Sequence, residues 1–168
     1  MGNRALRRQL SEMIGVRIYT GFSKIAALEY FPARKLRRLL VLASVRPGDL
    51  VQDCDGFNHR VTKVNLVWDN GSWKERNVKG RYLSDIQFEF EDGHVPCGCG
   101  ADRTPSSVAE IEEFWSEWIP YQRHNGFGWA DGPFYDEILR RLSSKESICD
   151  KDGIMLPELR KLMQVVGR

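Results

Sequence analysis

The strict alternation of residues 86–91, IQFEFE, constrains the fold more than any other feature of the chain. In a β-strand, Ile86, Phe88 and Phe90 would share one face, and the polar residues between them would share the other. A strand with one apolar face buries that face against another element, as antiparallel sheets with one covered side do. The centre of the chain therefore predicts an antiparallel sheet that another part of the chain covers.

Residues 45–100 contain further strand patterns and turn signals. The segment RPGDLVQD (46–53) predicts a turn and a strand, and RVTKVNLVW (60–68) predicts a strand with alternating apolar residues. The triplet DNG (69–71) predicts a hairpin turn, because Asn-Gly readily adopts positive φ angles. Five short strands in this range favour a small twisted barrel over an open sheet.

Helical patterns lie on the N-terminal side of this range. Residues 1–44 predict three helices, and Asn3 is the expected cap of the first. The second covers residues 23–31. The third covers residues 32–44, with Pro32 in its first turn, where a missing N–H costs nothing.

Residues 104–168 predict helices again. The first opens at Thr104, the second runs from about residue 133 to residue 144, and a third ends the chain. The first helix has a wide apolar stripe. Its members are Val108, Ile111, Phe114, Trp115, Trp118 and Ile119.

Three segments of the β-rich range form one pattern: RPGDLV, DGFNHRVTKV and DIQFEFEDG. The pattern consists of an entering strand, a Gly-containing loop, a long second strand and a later strand that ends in Asp-Gly. In this order they resemble the SH3-like small barrels, in particular the KOW and Tudor-type modules. The resemblance implies a module that binds nucleic acid or protein and has no catalytic activity. The turn CDGFNH is also similar to a turn in small phage proteins of no assigned function.

The predicted fold class is therefore α+β, with a small SH3-like β-barrel between two helical regions. The three predicted domains are a basic helical N-terminal region (1–44), the SH3-like barrel (45–100) and a helical C-terminal region (104–168). We find no internal repeat and no low-complexity tract that would suggest another architecture.

The composition is that of an ordinary globular protein. Apolar residues make up 42% of the chain and charged residues 29%, and the four cysteines are unevenly spaced, unlike a disulfide framework. The longest apolar run, LLVLASV, is too short to span a membrane, and the N-terminus carries no secretory signal. Common nucleotide-binding and hydrolase motifs are absent from the sequence. We therefore expect a cytoplasmic protein with no membrane partner and no enzymatic activity.

Charge is unevenly distributed along the chain. Residues 1–44 hold nine Lys and Arg against two acidic residues, whereas residues 45–168 hold sixteen against twenty-one. This asymmetry predicts an anionic partner for the basic segment. The alternative is that the two halves attract each other in the folded chain.

The helix predicted over residues 32–44 is the first candidate site. Its cations and leucines are spaced so that one face packs and the other can contact phosphates. The predicted nucleic-acid-binding residues are Arg34, Lys35, Arg37 and Arg38. Aromatic residues that can stack on bases are Phe57, Trp68, Trp73 and Tyr82. The alternative is that the charged face is only solvated and these aromatic residues are core.

The turn VQDCDGFNHRV (51–61) is the second candidate site, because it combines a thiol and an imidazole. Two more cysteines follow the last predicted strand, so that four ligands for a tetrahedral zinc ion are present in the sequence. The predicted ligands are Cys54, His59, Cys97 and Cys99. The alternative is an ordinary polar turn. A thiol enzyme built on Cys54 and His59 is a further alternative, although no oxyanion hole is indicated.

Two more segments have patterns typical of binding sites. The aromatic residues of the loop HNGFGWADGPFY are predicted either to bind a partner or to form a small core under the helices. They are Phe127, Trp129, Phe134 and Tyr135, and Phe127 and Trp129 are the candidate partner contacts. Core is the favoured interpretation. Residues 150–163 have Asp and Gly spacing like that of an EF-hand, but the first and last carboxylates of such a loop are missing, so we expect a turn without calcium.

Taken together, these patterns predict a non-enzymatic module that binds nucleic acid or a protein of nucleic-acid metabolism. The alternative function is a protein–protein adaptor or inhibitor, which the similarity of its turn to phage proteins would make phage-encoded, that binds a host protein through the aromatic loop and the acidic helix 106–119. A zinc- or thiol-dependent enzyme is a third alternative.

Overall fold

A computed structural model describes residues 3–13, 33–73, 78–96 and 104–166. Within these ranges the chain forms five α-helices and three β-strands. In chain order they are α1 (Asn3–Met13), α2 (Ala33–Ser44), β1 (Leu50–Gln52), β2 (Asn58–Trp73), β3 (Val78–Phe90), α3 (Val108–His124), α4 (Pro133–Ser143) and α5 (Pro157–Val166). The strands form one antiparallel sheet in the order β1-β2-β3.

The architecture is α+β, but the prediction of an SH3-like barrel is wrong. In the described part of the chain the sheet has three strands and is open, because β1 and β3 flank β2 and do not pair with each other. The predicted turn at residues 69–71 is also wrong, since Asp69, Asn70 and Gly71 lie inside β2 and pair with residues of β3. Two expected short strands are therefore one long strand. The helix predicted over residues 23–31 lies outside the described residues.

The chain divides into two compact units. The first unit consists of Met1–Asp49 and Val61–Val95, and the second consists of Leu50–Arg60 and Pro96–Arg168. The short hairpin made by β1 and the start of β2 thus belongs with the C-terminal helices. The three domains predicted from the sequence remain a prediction.

The first unit confirms the alternation in β3. Ile86, Phe88 and Phe90 are buried, whereas Gln87 and Glu89 are exposed. Helix α2 packs against β3 and also against α1. The buried helical residues are Leu6 and Leu10 of α1 and Leu36, Leu39, Leu42 and Ala43 of α2, at the spacing expected for one apolar face of each helix.

The second unit has an aromatic and aliphatic core. Helix α3 packs against α4, and α4 packs against α5. Helix α3 begins at Val108 because Ser107 and Glu110 form a reciprocal capping box, in which each side chain accepts the other's backbone N–H. The buried core consists of Phe57, Ile111, Trp115, Ile119, Ala130, Phe134, Ile138, Ile148, Cys149, Met155 and Leu159. Among the described residues, no helix combines the length and the apolar character needed to cross a membrane.

Candidate functional site

The turn between β1 and β2 is held in place by Asn58, which is buried. Its Nδ2 donates to the Ser106 carbonyl at 2.7 Å and to the Asp152 carbonyl at 2.9 Å, and its Oδ1 accepts from the Ser106 N–H at 2.9 Å. The Asn58 backbone N–H donates to the Gly153 carbonyl at 3.0 Å. One amide therefore joins the hairpin to two segments that are distant in the sequence.

Gly153 lies directly against this amide. Its φ is +77°, and a Cβ at this position would collide with Asn58 Nδ2 and lie 2.7 Å from Ile111 Cδ1. Arg60 adds a salt bridge to Asp152 at 2.8 Å beside it. The Asp-Gly turn expected near residue 150 thus serves as a packing partner of the hairpin. Its Asp150 carboxylate accepts the N–H groups of Asp152 and Ile154.

His59 is fully buried and is paired within its own turn. Its Nε2 lies 3.0 Å and 2.9 Å from the two carboxylate oxygens of Asp55. The same carboxylate accepts the N–H of Phe57 at 3.1 Å. This geometry lets the Asp55 carboxylate accept a hydrogen bond from Nε2 in the tautomer that carries the proton on that nitrogen.

The zinc prediction rests on four residues, and the structure describes two of them. Cys54 is exposed and His59 is buried, whereas Cys97 and Cys99 lie outside the described residues. The site therefore remains a prediction. The Asp55 pairing was not expected, although an acid four residues before a histidine in one tight turn is a signal that the sequence contains.

The two cysteines that the structure describes differ in environment. Cys149 is buried, and desolvation, followed by the charges of Glu112 and Asp150, raises the pKa of its thiol to about 11. A buried thiol with a raised pKa is a poor nucleophile, because the thiolate is the reactive form. Cys149 therefore acts as a small apolar core residue.

Helix α2 presents its charge away from its packed face. Arg34, Arg37 and Arg38 are exposed, whereas Leu36 and Leu39 are buried. In the part of the chain that the structure describes, these three arginines form no ion pair. The side chain of Lys35, the fourth predicted contact, lies outside what the structure describes.

Helix α1 carries further cations. Arg4 and Arg8 are exposed, and Arg8 forms a surface ion pair with Glu12 at 3.4 Å. The first unit as a whole holds fifteen Lys and Arg against nine acidic residues, and the second holds ten against fourteen. The charge asymmetry of the sequence is therefore also an asymmetry between the two units.

Of the four aromatic residues expected to stack on bases, the structure describes the side chain of Phe57. Phe57 is fully buried, with its ring centroid 5.5 Å from that of Trp115, so the prediction that it stacks on bases is wrong. The hairpin was expected to be a barrel loop, but its apex packs into the core of the second unit. The side chains of Trp68, Trp73 and Tyr82 lie outside the described part of the structure.

The aromatic residues of the loop after α3 differ in how much of each side chain is exposed. Phe127 and Trp129 are 48% and 73% exposed, so the core interpretation is wrong for these two residues. Phe134, at the start of α4, is buried and does belong to the core. Buried Ala130 lies between Trp129 and Phe134 in the sequence, so a small side chain occupies the core next to exposed Trp129.

The structure also contains one polar group that no sequence pattern indicated. Trp115 is buried, and its Nε1 has no hydrogen-bond partner among the described residues. Five aromatic rings surround it, those of Phe57, Phe114, Trp118, Phe134 and Tyr135. An indole in such a position contributes by packing rather than by polar contacts.

No family model, no curated protein and no solved structure matches this chain.

Proposed function

We propose that this protein is a non-enzymatic binding protein that contacts nucleic acid through the exposed face of α2. The observation that carries the proposal is the exposure of Arg34, Arg37 and Arg38 on the side opposite the buried leucines. Guanidinium groups that lack acidic partners within the described residues are available to pair with phosphates.

The arrangement suits backbone contacts. Residues three and four positions apart lie on the same side of a helix, so Arg34, Arg37 and Arg38 form one row about one turn long. Each arginine that pairs with a phosphate displaces condensed counterions, which gives affinity without sequence preference. The positive net charge of the first unit would steer an anionic ligand toward this row.

The test compares two variants of equal net charge. In R34Q/R37Q/R38Q the row is neutralised, whereas in K145Q/K151Q/K161Q three exposed lysines of the second unit are neutralised. Binding of fluorescein-labelled single-stranded and duplex DNA is measured by anisotropy at low salt. We expect the arginine variant to lose at least about tenfold in affinity and the lysine variant to stay within about twofold.

Two outcomes would contradict the proposal. Equal weakening by the two variants would mean that total charge, and no particular helix, governs binding. Unchanged binding by the arginine variant would place the contact elsewhere. All the substituted side chains are exposed, so the thermal unfolding midpoint should be the same in both variants and in the unaltered chain. Circular dichroism measures this midpoint and checks that each variant is folded.

A further inference from the structure

We infer that the nucleic acid bound by α2 is B-form duplex DNA, and that the helix lies in its major groove with Val41 against the 5-methyl group of thymine. This inference rests on the nucleic-acid contact proposed above, and it names the class of ligand and a residue that recognises it. Its basis is the make-up of the exposed face of α2, the size of this helix and the side chains described in the first unit.

The exposed face of α2 ends in an apolar side chain. Val41 is 53% exposed. It completes the i, i+3, i+4, i+7 spacing that begins at Arg34, so it lies on the same side of the helix as the three exposed arginines. Three long cationic side chains and one short apolar side chain therefore face solvent together.

Val41 contributes little to the packing of the first unit. The buried residues of α2 are Leu36, Leu39, Leu42 and Ala43. A β-branched residue loses rotamer freedom in a helix, and an exposed one gains no packing in return. The side chain of Val41 is therefore available to bury apolar surface against a ligand.

The dimensions of α2 suit the major groove of B-form DNA. The helix has 12 residues, which makes it about 18 Å long at a rise of about 1.5 Å per residue. An α-helix is about 10 to 12 Å across, and the major groove is about 12 Å wide, whereas the minor groove of about 6 Å is too narrow. Phosphates line the walls of the groove and base edges form its floor. Long arginine side chains can therefore reach the walls while a short valine reaches the floor.

Thymine offers the apolar group that Val41 can contact. Its 5-methyl group projects into the major groove, whereas the other base-edge groups there are hydrogen-bond donors and acceptors. Contact between the valine and this methyl group removes apolar surface of both from water. We therefore expect a duplex with thymine to bind more tightly than the same duplex in which thymine lacks its methyl group.

Other forms of nucleic acid suit this face less well. Double-stranded RNA is A-form, and its major groove is too deep and narrow for side chains to read. Single strands are commonly held by stacking of their bases on aromatic side chains. Phe88 and Phe90, the phenylalanines that the structure describes in the first unit, are buried. The described side chains therefore favour duplex DNA as the ligand.

The test compares two fluorescein-labelled DNA duplexes that differ only in the 5-methyl group, one with thymidine and the other with deoxyuridine at the same positions. The variants are V41S and, as the matched control, V95S, since Val95 is an exposed valine of the first unit outside α2. Anisotropy at low salt gives the affinities. We expect the unaltered chain and V95S to bind the thymidine duplex about fourfold more tightly, the effect of burying one methyl group. V41S should bind both duplexes equally.

Duplex RNA of the same sequence is the second probe. We expect the unaltered chain to bind it more weakly than either DNA duplex, because an α-helix does not enter the major groove of A-form RNA. RNA binding as tight as DNA binding would place α2 on the phosphates outside the groove and would overturn the inference.

Failure of this inference is distinguishable from failure of the proposed function. Suppose that the unaltered chain binds both DNA duplexes equally while R34Q/R37Q/R38Q still loses affinity. In that case α2 contacts phosphates without recognising thymine, and only the inference fails. A preference for thymidine that V41S retains would mean that another residue contacts the methyl group. Unchanged DNA binding by R34Q/R37Q/R38Q would overturn the proposed function and the inference with it.

Discussion

At the residue scale, the hairpin turn illustrates how side chains with reactive chemistry can serve the fold. Asn58 makes three side-chain hydrogen bonds while buried, and His59 is paired with Asp55. Because buried polar groups are costly when unpaired, each partner in this network depends on the others. Polar residues that indicated a site from the sequence therefore contribute to packing in the second unit.

Gly153 provides the sharpest prediction at this scale. In G153A the new methyl group would meet Asn58 and Ile111, both buried, and the positive φ would also be strained. We expect the free energy of unfolding in urea to fall by about 3 kcal/mol or more, from backbone strain and overpacking together.

The matched control for this substitution is G126A. Gly126 has a φ of +71°, but nothing lies within 4 Å of a Cβ at that position. Only the backbone penalty of about 1–2 kcal/mol should remain. Equal losses in the two variants would mean that the contact with Asn58 does not matter.

At the element scale, helix α4 ends in a charge network. Glu137 accepts hydrogen bonds from Arg140 and Arg141, all at 2.8 Å, and Arg140 also reaches Glu146. The hydrogen bonds from Arg140 and then Arg141 lower the pKa of Glu137 to about 2, from its ordinary 4.5. The network forms because residues three and four positions apart meet on a helix.

This network predicts a pH dependence. A carboxyl group whose pKa is lowered in the folded state stabilises that state above its ordinary pKa and loses the effect as it becomes protonated. The thermal unfolding midpoint of E137Q should therefore lie below that of the unaltered chain at pH 7, and the difference should shrink as the pH falls from 4.5 toward 2.

The control for the pH experiment is E113Q. Glu113 is exposed on α3 and forms no ion pair with another residue that the structure describes, so its substitution should change the midpoint little at either pH. A difference between E137Q and the unaltered chain that persists unchanged to pH 2 would contradict the assigned role of Glu137.

At the scale of the whole molecule, the nucleic-acid contact proposed for α2 predicts how DNA binding would respond to salt. Each arginine–phosphate contact contributes about 0.7 to 0.9 to the slope of log affinity against log salt. Neutralising Arg34, Arg37 and Arg38 should flatten this slope by roughly 2 to 3. The lysine control variant should leave it unchanged. A slope that is the same in both variants would mean that these arginines contact no phosphate.

The local patterns of the sequence were sufficient to predict most of the helices and the strand β3. Alternation identified β3 and its buried face, and helical spacing identified α2, α3, α4 and α5, because these periodicities are set by the geometry of the backbone itself. The exposed basic face of α2 follows from the same spacing. Such features depend only on residues that are neighbours along the chain.

Tertiary structure decided the rest. Asn-Gly favours a turn locally, but pairing with β3 keeps residues 69–71 in a strand, and this leaves an open sheet in place of a barrel. Asn58 finds its partners 48 and 94 residues away, and Ala130 rather than Trp129 occupies the core. A one-dimensional pattern does not encode these choices, because they depend on which distant surfaces meet and on the space left between them.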